Sequence, residues 1–546
     1  MIKHYIKNII YILEGIFGLD IWLLYPFSYP FTKSKKGLTD QARKLHQYIE
    51  ESKITSSKNE KGSKFCFIMF SPGTPKEIRL LISISKVLAK IKNETLWLVC
   101  RSTPKTCEYQ GFKKQNILKC YSCTSIMTQV LNIFNERYIF SDHYNNSINL
   151  PDLSKCSTDE LIIYMYKSIN VGEISKYSLY KTKKTDIIDN TWKEELVINI
   201  HTFITTYEST INTIEALNIT DVVIMGGMYL NYRAVMHAAQ NCNINYHTYE
   251  NFGVNRLIWK KNDECFKFKI EITDKDLSPE DIDKANELFK NLKSGLYYHR
   301  IFNSKANDNR DLNYYYDNYI ALFPNVSWDS ATFYKESTIF ESQYDWIFKT
   351  IGFCITKNIN LVIRIHPGEA KMKGKHTLSE IISTKFKKLP SNITIIMADD
   401  KASSYNILNN AKAAIVFVST IGIEIPFYDT PCIVVGDAYY KNYGFTYNPD
   451  SFGEYYEMLH KFSEREKVVD INVKDKLYKY VLSLDNYRRY IGYGEYYKYT
   501  GREEIGKNRG HSFDFDKSYY QGYPYDNEQY HELIQYITSQ DTNFNN

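Results

Sequence analysis

Five short apolar runs in the second half of the chain constrain its fold more than any other feature: 319–323 (YIALF), 361–365 (LVIRI), 393–397 (ITIIM), 414–418 (AIVFV) and 432–435 (CIVV). Runs of this length suit strands. Apolar residues throughout, rather than in alternation, fit a parallel sheet covered on both faces. The stretches between them are long enough for helices, and strand alternating with helix is the pattern of an α/β fold. The clearest helix carries Phe340, Tyr344, Ile347, Phe348, Ile351 and Ile355, a spacing close to a 3.6-residue period.

The first half repeats the pattern less cleanly. Residues 64–70 (KFCFIMF) read as a strand, Ser71, Pro72, Gly73 and Thr74 as a turn, and a helical pattern starts near Pro75. Further strands are expected at 94–99, 221–225 and 244–249, with a helix over 229–240. The stretch 124–200 resists parsing and suggests a mostly helical insertion. Around 277–294 a helix is expected, capped by Ser278, with Pro279 at its first position and Glu280, Asp281 and Asp283 at the positive end of its dipole. A chain of 546 residues is too long for one core. The expected organisation is an N-terminal apolar helix and connector (1–63), a first Rossmann-like domain (64–260), a linker with a helix (261–318), a second Rossmann-like domain (319–485) and a Tyr-rich tail (486–546).

In open α/β sheets ligands bind beyond the carboxyl ends of the strands, so the residues there are the candidates for chemistry. Strand 319–323 leads to Pro324, Asn325, Ser327 and Asp329. Strand 361–365 carries Arg364 and runs into His366, Pro367 and Gly368. Strand 414–418 runs into Ser419 and Thr420, then Gly422 and Glu424. In the first half, strand 244–249 ends on Glu250. Arg364 and His366 can donate to a phosphate oxygen. Ser419 and Thr420 sit where a helix starts, a place for phosphate. Glu424 could accept ribose hydroxyls, and Glu250 could take a proton from an acceptor hydroxyl. Each has a plainer reading as loop, cap or surface residue; it is their placement on one topological edge that favours function. Asp142 is the competing acid.

Other chemistries lose support. No Walker-type loop is present, and no G-x-G-x-x-G follows a strand. The D-x-D pattern Asp514 and Asp516 lies in the tail, and no metal or other cofactor is expected. Lys and Arg total 68 against 63 Asp and Glu, a formal charge of +5. That suits anionic substrates or an anionic membrane surface and does not demand nucleic acid. The ten cysteines form no secreted disulfide framework, which favours a reducing cytoplasm; Cys66, Cys100 and Cys432 sit in strand-like runs, and Cys120–Cys123 is a C-x-x-C without a second pair. The apolar run 9–27 follows Lys3 and Lys7 but is broken by Glu14 and Asp20. It reads either as a helix packed on the protein body or as one resting on the inner face of the membrane. The tail could pack on its own protein or on a glycan.

Two segments, RIHPGE (364–369) and VSTIGIEIPFYDTPCIVVGDAYY (418–440), resemble the His-Pro and Ser-containing motifs of the capsule polysaccharide synthesis transferases. That group includes the capsule Kdo transferases and is distantly similar to bacterial sialyltransferases. ALFPNVSWD (321–329) resembles the opening of their donor domain. MGGMYLNYRAVMHAAQNCNINYHTYENFG (225–253) resembles the stretch that ends in their acidic catalytic residue. The resemblance implies the GT-B architecture, two Rossmann-like domains facing across a cleft, and an inverting, metal-independent transfer of a sugar, CMP-linked among other possibilities, from a nucleotide-sugar donor to a glycan or lipid-linked glycan of capsule or lipopolysaccharide. It makes Glu250 the general base, His366, Ser419 and Thr420 the phosphate ligands, and Glu424 the ribose ligand. Thr420 stands where some relatives have Ser, and Pro426 implies that the helix after Ser419 is short or kinked. Three rivals stay open: a teichoic-acid-type polyol-phosphate transferase, a nucleotide-sugar epimerase, and a non-catalytic glycan-binding assembly protein.

Overall fold

The computed structural model describes residues 63–490, apart from 71–74, 92, 102–103, 109–111, 113–116, 145–147, 252–255, 266–268, 294–317, 330–331, 334–337, 465–470 and 488, and then 533–535 and 537–538. The apolar run 9–27, most of the tail with Asp514 and Asp516, the turn 71–74 and most of the segment 303–318 lie outside the described residues. The chain divides into two units by contact. The first holds the residues up to Ser178, then Asp189–Phe266, then those from Arg489 onward. The second holds Leu179–Ile188 and Lys267–Arg488.

In the first unit the strands are β1 (Lys64–Met69), β2 (Glu94–Val99), β3 (Tyr138–Phe140), a small hairpin β4 (Met165–Tyr166) and β5 (Ile169–Asn170), then β6 (Asp221–Met225), β7 (Asn245–Asn251) and β8 (Arg256–Lys261). The second unit has β9 (Tyr319–Phe323), β10 (Leu361–Arg364), β11 (Ile393–Ile396), β12 (Ala411–Val416) and β13 (Cys432–Val434); β14 (Arg489–Tyr490) returns to the first. The first sheet runs β14-β8-β7-β6-β1-β2-β3 and the second β11-β10-β9-β12-β13. The second is parallel throughout. In the first, β3-β2-β1-β6-β7 are parallel, and β8 and β14 add antiparallel at one edge. Numbered within each unit, both parallel sheets follow the order 3-2-1-4-5, which reverses direction between the first and fourth strands. Both units are Rossmann-like.

The expected strands therefore form, with ends shifted by at most three residues, the largest shift being the start of β12 at Ala411 rather than 414. β3 and β8 were missed: both are short or flanked by polar residues, and β8 pairs antiparallel on one side only with β7 and on the other with the two-residue β14. The stretch 124–200 is mostly helical as expected, including Val171–Lys183 and part of the long helix Lys193–Leu217. Helix Pro279–Lys293 starts where the acids placed it. Asp281 N–H donates to the Ser278 hydroxyl at 3.2 Å while Ser278 N–H donates back to the Asp281 carboxylate at 3.0 Å, a reciprocal cap.

One expected face is rotated. Helix Gln343–Lys357 buries Gln343, Trp346, Ile347, Thr350, Ile351 and Cys354, while Ile355 is exposed and Phe340 precedes the helix. Trp346 and Thr350 move the stripe: the indole N–H donates to the Tyr455 hydroxyl at 3.0 Å, and the Thr350 hydroxyl lies 2.7 Å from the same oxygen. Polar side chains with such partners can occupy an inner face that apolar spacing alone would not assign to them.

The core of the first unit is built from β1, β2 and β6 with the helices on them. It also takes in Leu533, Ile534 and Ile537 from the end of the chain. Cys66 lies in β1, and burial pushes its thiol up to about 12, so it acts as a small hydrophobe. Cys120 and Cys123 are one turn apart on helix Ile117–Ile133, both buried. Among the described residues no helix is long and apolar enough to cross a membrane.

Candidate functional site

In the second unit the strand order reverses between β9 and β12, and the loops leaving these strands carry Asn325 and Ser419. Asn325 joins the two. Its carboxamide oxygen accepts the N–H of Val418 at 3.3 Å, and its amide nitrogen donates to Asp329 at 3.0 Å. Gln343 holds the same residue by its backbone: Asn325 N–H donates to the Gln343 side-chain oxygen at 2.8 Å, and the Gln343 amide donates to Asn325 C=O at 3.1 Å. Asn325 is buried. Its observed part is to fix the loop that presents Ser419, with its own polar groups engaged in doing so.

His366 leaves β10, one strand further along. It is the N-cap of helix Pro367–Met372, and its Nδ1 accepts the N–H of Gly368 at 2.9 Å. An acceptor Nδ1 requires the neutral ring to carry its hydrogen on Nε2. The ring is half-buried, so the tautomer that can donate toward a ligand is fixed by the turn itself. Gly368 has to be glycine for this: a Cβ there would lie 2.8 Å from Nδ1. Because β9 stands between β10 and β12, the His366 and Ser419 loops are two strand spacings apart, about 10 Å, with Asn325 between them.

Ser419 and Thr420 are half-buried and precede a single helical turn, Ile421–Glu424, which passes into a 3-10 turn, Ile425–Tyr428, with Pro426 at its start. The helix is short, as Pro426 implied. Its brevity narrows the expected cradle. Gly422 N–H donates to Ser419 C=O at 3.0 Å and Ile423 N–H to Thr420 C=O at 3.2 Å, so neither is available to a phosphate. Ser419 is held from behind by the Tyr440 hydroxyl, which donates to its carbonyl. Glu424 is buried, and Tyr405 donates its phenol to Oε2 at 2.6 Å.

Arg364 is placed otherwise than its expected role requires. It is 3 % exposed, and its guanidinium donates to the carbonyls of Met397 and Asp400. Burial lowers its pKa against the pull of Asp400 and Asp399. The side chain ties the end of β10 to the loop after β11. The motif showed a basic residue at a strand end but not which way it turned.

In the first unit the reversal falls between β1 and β6. After β6 the chain turns at Gly226 (φ 59) and Gly227 (φ 71), backbone that side chains rarely adopt. Glu250, half-buried in β7, lies against this turn: a Cβ on Gly226 would be 3.2 Å from its Oε2. The charge of Glu250 adds to burial in raising the Cys265 thiol well above its ordinary value. Arg233 and Glu264 pair at 2.7 Å beside the same turn, with Arg233 also donating to Gly227 C=O at 3.3 Å. The competing acid, Asp142, accepts two N–H groups of Arg101, at 2.7 and 3.1 Å.

Four residues that sequence reasoning passed over shape the site: Gln343, Tyr405, Tyr440 and Glu369. Gln343 was visible as a polar residue at the start of an apolar helix. Tyr440 and Glu369 lay within the motif segments. Glu369 is buried one helical step from His366, and its Oε1 accepts the N–H of Leu378 at 3.0 Å. Burial pushes its carboxyl up to about 7, with Glu380 adding to the rise and the Leu378 N–H opposing it.

No family model matches the chain, and no curated protein matches it by sequence. Solved structures do align with it. One is the β-Kdo 2,4-transferase KpsC of Thermosulfurimonas dismutans, at 14 % identity and a TM-score of 0.28, covering 48 % of this chain and 80 % of that one. Another is the UDP-GlcNAc 2-epimerase of Methanocaldococcus jannaschii, solved with UDP-GlcNAc and UDP, at 11 % and 0.26, covering 78 % and 99 %. A third is the glycosyltransferase SnogD of Streptomyces nogalater, at 8 % and 0.20, covering 78 % and 99 %. The likeness is to glycosyltransferases and a nucleotide-sugar epimerase. At scores this low the residues of the chain itself carry the functional reading.

Proposed function

We propose that the protein is an inverting, metal-independent glycosyltransferase that moves a sugar from a nucleotide-sugar donor to a bacterial surface glycan or its lipid-linked precursor. The observation that carries this reading is the convergence of His366, Asn325 and Ser419–Thr420 on neighbouring strand ends where the order of the second sheet reverses. Ligands settle at such points. In this reading the donor phosphate lies between the His366 Nε2–H and the Ser419 and Thr420 hydroxyls. Glu424 takes the ribose once Tyr405 releases it.

The acceptor hydroxyl attacks the anomeric carbon and gives its proton to Glu250. The bond from that carbon to the phosphate oxygen breaks, and its electron pair leaves with the nucleotide. His366 stabilises the leaving phosphate by a charge-assisted hydrogen bond, roughly twice as strong as a neutral one.

The test is a transfer assay with sugar nucleotides of CMP, UDP, GDP and CDP on capsule and lipopolysaccharide acceptors, with CDP-glycerol alongside. Sugar transfer with inversion, lowered about 10²–10⁴-fold in Glu250→Gln at unchanged nucleotide affinity, supports the reading. Transfer of phosphoglycerol, epimerisation of a donor without acceptor, or Glu250→Gln turnover within a few-fold of wild type contradicts it.

A further inference from the structure

The stretch Leu179–Ile188 interrupts the first unit and belongs to the second. It meets the chain directly after the helix that His366 caps. Lys184 donates through Nζ to the carbonyl of Met372, the last residue of that helix. Lys375 N–H donates to Lys184 C=O at 3.1 Å. The Thr185 hydroxyl accepts Ile187 N–H at 3.2 Å and pairs with His376 Nδ1 at 2.9 Å. One residue on, Asp186 accepts the Tyr344 phenol at 2.7 Å, and Tyr344 adjoins the Gln343 that holds Asn325.

Helix Pro367–Met372 needs such support. Six residues are far too few for a helix to hold by itself in water. Beyond it Lys373 turns left-handed (φ 55), and Gly374 N–H donates back to Glu369 C=O at 3.1 Å. Trp328, from the loop after β9, lies so close over Gly374 that a Cβ there would be 2.6 Å from its ring. The position of the His366 turn is therefore set by what grips the residues after it, and 184–186 supply several of those grips.

We propose that Lys184, Thr185 and Asp186 are positioning residues for the donor-phosphate loop, holding His366 where its Nε2–H meets a phosphate. The inference rests on the reading of His366 as a phosphate ligand. Thr185 is fully buried, so Thr185→Val keeps its volume and removes the hydroxyl that faces His376.

The test is a double-mutant cycle on the full chain, read by calorimetry with CMP, CDP, UDP and GDP. Thr185→Val should weaken the best-binding nucleotide about fivefold, the effect of one net hydrogen bond, and Thr185→Ser should restore it. In a His366→Ala background Thr185→Val should cost nothing further, because its effect passes through the imidazole. Equal weakening in both backgrounds marks general destabilisation and overturns the proposal. So does unchanged affinity in Thr185→Val while His366→Ala binds weakly. If His366→Ala alone binds as wild type, the phosphate-ligand reading falls and takes the proposal with it, a failure told apart by that single variant. Should Thr185→Val not fold, Asp186→Asn carries the same cycle through Tyr344.

Discussion

Gly368 and Glu369 show how much of the site depends on residues other than the proposed ligand groups. The N–H of Gly368 occupies His366 Nδ1, and its missing Cβ leaves the imidazole room. Gly368→Ala should therefore weaken nucleotide binding nearly as much as His366→Ala, by calorimetry, with the fold intact by circular dichroism. Wild-type affinity in that variant would show that the ring is not held by this turn. Glu369 gives a pH signature. Its folded carboxyl titrates near 7, above the ordinary 4.5. The folded state thus holds a proton that the unfolded chain releases, and stability falls as pH rises from about 4.5 to about 7. Glu369→Gln keeps an oxygen for Leu378 N–H without the charge. It should raise the melting temperature at pH 8 and leave it unchanged at pH 4; an equal shift at both would contradict the buried titration.

Elements were legible where packing agreed with pattern. Four of the five strands of the second sheet appear within a residue of their expected ends; β12 starts at Ala411 rather than 414 because Lys412 interrupts the apolar run. Helix Gln343–Lys357 was legible as a helix but not in its buried face. Spacing selects apolar residues, whereas here Gln343 and Thr350 face inward with hydrogen-bond partners. Arg364 and Glu424 were legible as polar residues at strand ends; that the first turns to backbone carbonyls and the second is covered by Tyr405 depends on contacts distant in sequence. Gln343 offers the test at this scale. Gln343→Ala would strand the N–H and C=O of Asn325, both now bonded to it, and should destabilise the protein by about 2–4 kcal/mol in urea unfolding. A loss under about 0.5 kcal/mol, the scale of surface changes, would mean that the loop is held from elsewhere.

At the scale of the molecule, neither unit is a continuous stretch of chain. Sequence reading divided the chain at single points because it sees neighbours along the chain. It had no signal that 179–188 would join the second unit or that Leu533 would be buried in the core of the first. Leu533→Ala should cost about 2–5 kcal/mol in the unfolding of the first unit while nucleotide binding by the second persists, which calorimetry and unfolding on one sample would separate. The central claim is that the second unit holds a nucleotide by its phosphate at His366 and Ser419. Calorimetric titration of CMP, CDP, UDP and GDP into wild type, His366→Ala and Ser419→Ala tests it most directly. The account predicts micromolar to millimolar binding of at least one nucleotide, weakened about tenfold or more in His366→Ala, by the loss of a charge-assisted bond, and less in Ser419→Ala. Equal affinity in all three proteins would contradict it.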